Sequence, residues 1–183
     1  QLTSIKDQLD RLPFANIYGY GRPHQGAHDY ANALVRRLPD GINWVRFNSN
    51  GAQAVETAIL LSRFLRRAAG RPERQAVFSM WEGFHGLGPG AGAVTGMPYL
   101  HHQTGPLLPD VHHAPGPFAP IGPGSDLERL ITDYGPDRVT AVIVEPVVGE
   151  GGHVLSADYL ASLARFCREH DIHLIFDEIV TGM

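Results

Sequence analysis

Residues 139–147, VTAVIVEPV, read as a continuous apolar run of strand length. A strand apolar on both faces belongs inside a sheet that helices cover from either side. The run is one of a series. Shorter strands are predicted at 44–48, 75–81, 111–114 and 173–179, and helical spacing runs through 26–38 and 51–69. Asn50 with Gln53, and Ser125 with Glu128, have capping-box spacing and mark helix starts. Gly135-Pro136 stops the helix that Ser125 opens. Ser156 caps a further helix with Leu160, Leu163, Ala164 and Cys167 on its apolar face. Between Gly83 and Gly124 the chain is rich in Gly and Pro and reads as loop, apart from the short strand. Alternating strand and helix predicts an α/β fold, three layers deep, with a mostly parallel sheet. Ligands of such sheets sit at the carboxyl ends of the strands.

Length and charge narrow the function. A chain of 183 residues is the size of one domain. Its net charge of -4 gives no basic footprint for nucleic acid and no polybasic patch for a membrane surface. No apolar run approaches the ~20 residues of a membrane span, and QLTSIKDQLD lacks the form of a signal peptide. One cysteine, Cys167, excludes an internal disulfide and fits a reducing compartment, so a cytoplasmic protein is expected. The ten histidines include the adjacent pairs His101-His102 and His112-His113, with neither HExxH nor a Cys pair, so no metal site is expected. GLGPGAGA (86–93) matches a GxGxxA dinucleotide fingerprint, but Pro89 and the lack of a strand running into Gly88 argue against it. Among 15 basic residues Lys6 is the single lysine, hence the single side-chain amine.

Three strand ends carry chemistry. The turn Asn48-Ser49-Asn50-Gly51-Ala52-Gln53 puts small residues and free backbone amides at a helix start. That suits a phosphate, and an ordinary capped helix also explains it. In Phe84-His85-Gly86 an aromatic face beside a glycine suits a planar ligand, or else a core aromatic. Glu145 and Asp177-Glu178 place acids at the ends of apolar strands, where each needs a partner. Strand alternation would set Asp177 and Ile179 on one face, an arrangement suited to a heteroaromatic ring.

In this order and spacing, FNSNGAQAVETAI (47–59), FHG (84–86), TGPLLPDVHHAPGP (104–117), VIVEPVVGEGG (142–152) and REHDIHLIFDEIVTG (168–182) resemble the class III aminotransferases, enzymes of the fold-type I pyridoxal-phosphate group. The resemblance covers nearly the whole chain. It implies the central part of a large pyridoxal-phosphate-binding domain, 1–183, with the rest of that domain and a small domain lying elsewhere. It implies pyridoxal 5'-phosphate as cofactor, an amino donor and a keto acid or aldehyde acceptor as substrates, and a homodimer with partner contact around 86–106.

By position, Gly51 and Ala52 match the turn that holds the cofactor phosphate. Phe84 and Ile179 match the residues on the two faces of the pyridine ring, with His85 beside Phe84 in the same binding set. Asp177 matches the carboxylate bonded to the pyridine nitrogen, where a buried negative charge keeps that nitrogen protonated. Glu145 matches an acid close behind the site. Glu150 matches a glutamate that pairs in some members with a distant arginine on the substrate side. The chain departs from the family in having Asn50 and Gln53 where Ser and Glu are usual, and Val180 where some members carry a cofactor-binding glutamine. The lysine that carries the cofactor in the family has no counterpart here, so no catalytic residue is assigned within the chain. The family's strand order, 3-2-4-5-6-7-1, implies that the first strand (44–48) stands about three strand spacings, roughly 14 Å, from the fifth, leaving exposed strand edges. A non-catalytic segment of the same fold, and a related aminomutase or decarboxylase, are the competing readings.

Overall fold

A computed structural model describes residues 1–15, 24–115 and 125–182, so Gly116, Pro117 and Met183 lie outside the described residues. The chain divides into two compact units, Gln1–Phe47 and Asn48–Met183. The first holds two helices, α1 (Leu2–Arg11) and α2 (Gln25–Val35). Neither buries a residue. His24 caps α2 by accepting from the Ala27 amide at 3.3 Å, and Tyr30 stacks on Phe47 with ring centroids 5.7 Å apart.

The second unit follows the order α3 (Gly51–Ala68), β1 (Ala76–Met80), α4 (Pro89–Val94), α5 (Pro98–Thr104), β2 (Val111–Ala114), α6 (Asp126–Tyr134), β3 (Val139–Val144), β4 (Val147–Val148), β5 (His153–Val154), α7 (Ala157–Glu169) and β6 (His173–Phe176). The main sheet has the order β2-β1-β3-β6, every pairing parallel. Counting the segment 44–48 as the first, this is order 3-2-4-5, as the resemblance implied.

Side-chain alternation sorts the core into two layers. Phe78, Val142 and Val144 face Leu127, Ile131, Tyr159, Leu163 and Cys167 of α6 and α7. Val77, Ala141 and Ile143 face Val55, Ile59, Ala91 and Val94 of α3 and α4. Three layers result. Burial pushes the Cys167 thiol up to about 12, which leaves it unreactive.

At the amino ends of the strands, Arg66, Arg71 and Arg74 converge on Asp171, with Arg66 Nη1 donating to Asp171 Oδ2 at 2.9 Å. Arg74 also donates to the carbonyls of Pro136, Val139 and His170. This hub ties the entries to β1, β3 and β6 together, at the end of the sheet away from the site described below.

The structure corrects several expectations. Residues 44–48 form no strand; no described strand offers them a ladder, and Trp44 and Phe47 stay exposed. The run 139–147 is broken at Glu145-Pro146, because proline has no amide to donate, and Val147–Val148 pairs instead with His153–Val154 in an antiparallel hairpin. The strand expected over 173–179 stops at Phe176. The stretch read as loop contains α4 and α5, and Gly90 to Met97 is buried within the chain itself.

Candidate functional site

The loops after β1, β3 and β6 and the start of α3 meet at the carboxyl end of the sheet. Asn50 Oδ1 accepts from the Gln53 amide at 2.9 Å, and Gln53 Oε1 accepts from the Ser49 amide at 2.9 Å. The Asn50 half of the capping box is formed, and Gln in place of Glu braces the turn one residue earlier, on the Ser49 amide. Among the described residues the amides of Gly51 and Ala52 donate to no protein acceptor. They stand at the positive end of an 18-residue helix.

After β1 the chain turns through Glu82 and Gly83. The Phe84 amide donates to Glu145 Oε2 at 2.9 Å, and the Gly149 amide to Glu145 Oε1 at 3.1 Å. One buried carboxylate thus braces the loop after β1 against the β4–β5 hairpin. The His85 amide donates to Thr95 Oγ1 at 2.9 Å, and the Thr95 hydroxyl in turn lies 2.9 Å from the Gly86 carbonyl. Gly86 has φ +115, and a Cβ there would lie 2.5 Å from Ala52 Cβ, so the loop rests directly on the start of α3.

The closest polar contact of the site joins His85 to Asp177. His85 Nδ1 lies 2.8 Å from Asp177 Oδ2, with the side chains 2% and 7% exposed. A carboxylate only accepts, so Nδ1–H donates. Asp177 Oδ1 accepts from the Ile179 amide at 3.2 Å. This turn places Ile179 beside Asp177, which corrects the strand-alternation argument while keeping its result.

These groups line a cavity of about 390 Å³ with Asn50, Gly51 and Ala52 on one side, Phe84 through Leu87 on another, and Asp177 and Ile179 on a third. A Cβ on Gly51 would meet Ile179 Cδ1 at 3.1 Å, so Ile179 covers the helix start. Six of the residues singled out from sequence therefore share one cavity: Gly51, Ala52, Phe84, His85, Asp177 and Ile179. Glu145 lies behind it, bonded to the Phe84 backbone. Val180 is 62% exposed and outside the lining. Glu150 is exposed at the hairpin tip, also outside it. Leu87 and Thr95 were not anticipated. Thr95 had a signal, a lone polar residue within the small apolar run GAGAVTG.

Chemically, the cavity offers anion-binding amides at α3, an aromatic and an aliphatic wall, and a buried carboxylate. It suits a flat ligand with an anionic substituent and a ring N–H. Among the described residues no group of three His, Cys, Asp or Glu is placed to hold a metal ion, and no helix is long and apolar enough to cross a membrane.

Comparison with known proteins gives the same direction. The family model for Aminotransferase class-III matches residues 2–183. The chain is 32% identical to the omega-aminotransferase of Caulobacter vibrioides, covering 98% of the chain and 44% of that protein. It is 29% identical to the putrescine–pyruvate aminotransferase of Pseudomonas aeruginosa, covering 96% of the chain and 41% of that protein. A solved amine transaminase from an uncultivated Pseudomonas species, in its PLP-bound form, superposes with a TM-score of 0.86 at 32% identity, over 99% of this chain and 44% of its own. The chain spans less than half the length of these relatives.

Proposed function

The chain belongs to the class III aminotransferases, and from that premise we propose that it forms the central part of a large pyridoxal-phosphate-binding domain, in an enzyme that moves an amino group from an amine or amino acid to a keto acid or aldehyde. The observation that carries the reading is the shared cavity, with free amides of Gly51 and Ala52 at one wall and the buried carboxylate of Asp177 at another.

When bound, pyridoxal phosphate supplies a ring that takes up electrons from the substrate carbon. The α3 amides hold its phosphate. Asp177 would keep a proton on the ring nitrogen, and His85, 2.8 Å from its Oδ2, holds Asp177 in place. Phe84 and Ile179 would form apolar walls for the ring, and Glu145 fixes the backbone that carries Phe84. Lys6 on α1 is the single lysine in the sequence, so the reading assigns the amine that carries the cofactor to residues beyond these 183. Glu150 and Val180 are assigned to the substrate side and the cofactor rim. The reading extends to a cytoplasmic homodimer. Support for a partner comes from α3, whose outer face exposes Leu60, Leu61, Phe64 and Leu65.

The test is a half-reaction on the intact, cofactor-loaded protein. An amine donor alone should discharge the visible absorbance of the bound cofactor, and pyruvate should restore it while alanine forms. Release of carbon dioxide from an amino acid donor, with the corresponding amine as product and no alanine from pyruvate, would instead assign a decarboxylase.

A further inference from the structure

Helix α3 carries an acid that this reading does not use. Glu56 lies one turn beyond Ala52, on the same face. Its Oε1 accepts from the Gly90 amide at 2.7 Å and the Ala91 amide at 2.9 Å. Both belong to the first turn of α4, whose N-cap, Gly88, has no side chain to offer. A carboxylate from another helix thus satisfies donors that a Ser or Asp cap would otherwise take, through charge-assisted bonds.

The fit is close. A Cβ on Gly88 would lie 2.4 Å from Glu56 Oε1, and a Cβ on Gly90 2.4 Å from Oε2. One turn earlier on α3, Gly86 rests on Ala52. Segment 86–91 is therefore held to α3 at two points about 6 Å apart along the helix axis.

Both polar walls of the cavity depend on that attachment. The Gly51 and Ala52 amides belong to α3, whereas Phe84 and His85 belong to the chain running into the held segment, and His85 fixes Asp177. We propose that Glu56 is a positioning residue that sets the separation between the α3 amides and the His85–Asp177 pair, and so the length of ligand that the cavity accepts. The proposal rests on the pyridoxal-phosphate reading for the identity of that ligand.

The experiment compares three probes on the intact apo protein: pyridoxal phosphate, which spans both walls, inorganic phosphate, which reaches α3 alone, and pyridoxal, which lacks the phosphate. Glu56→Ala removes the acceptor and should weaken pyridoxal phosphate binding about tenfold or more, with the other two Kd values within about twofold. Glu56→Gln keeps an oxygen where Oε1 stands and should restore most of the affinity. Should Glu56→Ala fail to fold, Glu56→Asp retracts the carboxylate by one methylene and should show the same selective loss. An unchanged Kd for pyridoxal phosphate, or an equal loss for all three probes, would overturn the proposal. Failure of pyridoxal phosphate to bind the unmodified protein would overturn the ligand assignment and the proposal with it. That outcome is distinct from an unmodified protein that binds and variants that match it.

Discussion

Replacing Gly86 by alanine tests the seat on which the site is built, and its cost separates into two parts. The first is conformational. At φ +115 the backbone lies in a region that side-chain-bearing residues rarely enter, which costs about 1–3 kcal/mol. The second is steric. The new methyl would lie 2.5 Å from Ala52 Cβ and 2.9 Å from Ala52 Cα. Helix backbone yields little, so the loop must lift by about 1 Å to restore ordinary contact, an overpacking cost of about 1–3 kcal/mol. Together these come to roughly 2–6 kcal/mol, a large part of the about 5–15 kcal/mol that holds a typical domain folded.

A double-mutant cycle resolves the two. Ala52→Gly deletes the Cβ that makes the 2.5 Å contact but leaves φ at Gly86 untouched. The pair should therefore recover about 1–2 kcal/mol relative to the sum of the single changes. The assay is denaturant unfolding of the intact protein without cofactor. A cost below about 1 kcal/mol for Gly86→Ala would refute the close approach altogether. A full cost with no coupling to Ala52→Gly would leave the backbone term and refute the seat on α3.

Two further outcomes follow from the same geometry. Asp177→Ala and Asp177→Asn should each lower amino transfer by orders of magnitude, since neither keeps a negative charge beside the ring nitrogen; steady-state rates of either variant near the unmodified protein would sink the assignment of Asp177. At the opposite end of the sheet, the hydrogen bonds from Arg71 and Arg66 hold the Asp171 carboxyl below its ordinary value. A depressed folded-state value adds stability that is present above the unfolded value, about 3.9, and lost as pH falls through the folded one. Unfolding of Asp171→Asn should accordingly show a constant deficit near neutrality that narrows in acid, and a deficit that does not change with pH would count against the pairing.

The sheet was legible in the sequence wherever burial dictates residue choice. All six residues of β3 are buried, and VTAVIV admits no polar side chain beyond Thr140. Residues 44–48 (WVRFN) carry three apolar residues of strand type, but a strand exists only through its ladder, and pattern cannot supply the partner. Helix α4 was hidden for the opposite reason. PGAGAV reads as a breaker-rich loop, yet it coils because Pro89 suits a first turn, Glu56 accepts the free amides, and Ala91 and Val94 bury against the sheet. Here tertiary contacts outweigh local propensity.

Within the site, small residues at a helix start and acids at strand ends were visible as anomalies. Their connections were not: His85 and Asp177 are 92 positions apart. Val180 and Glu150 were inferred from family position alone, with no packing signal of their own, and both fall outside the cavity lining.

Strand order explains why unused donors and acceptors come together around one cavity at this end of the sheet. Because β3 lies between β1 and β6, the loops of the outer two must meet across it, a span of about two strand spacings, near 10 Å. His85 and Asp177 close that span with one bond, while Glu145 at the end of β3 supports the crossing chain through the Phe84 amide. Pro146 then turns β3 away into the hairpin, which keeps the space above the crossing clear. Each loop thus contributes one polar side chain, and each is engaged by a neighbour. What remains is unequal. Asp177 accepts two protein hydrogen bonds of the roughly four that a carboxylate can take, and among the described residues the α3 start keeps two amides with no acceptor. The cavity therefore has spare acceptors at one wall and spare donors at another, separated by the apolar surfaces of Phe84 and Ile179. A ligand that satisfies both must be anionic at one end, an N–H donor at the other and flat between them. Protonated pyridoxal phosphate has that form, whereas a neutral ring or an anion alone would leave one wall unsatisfied.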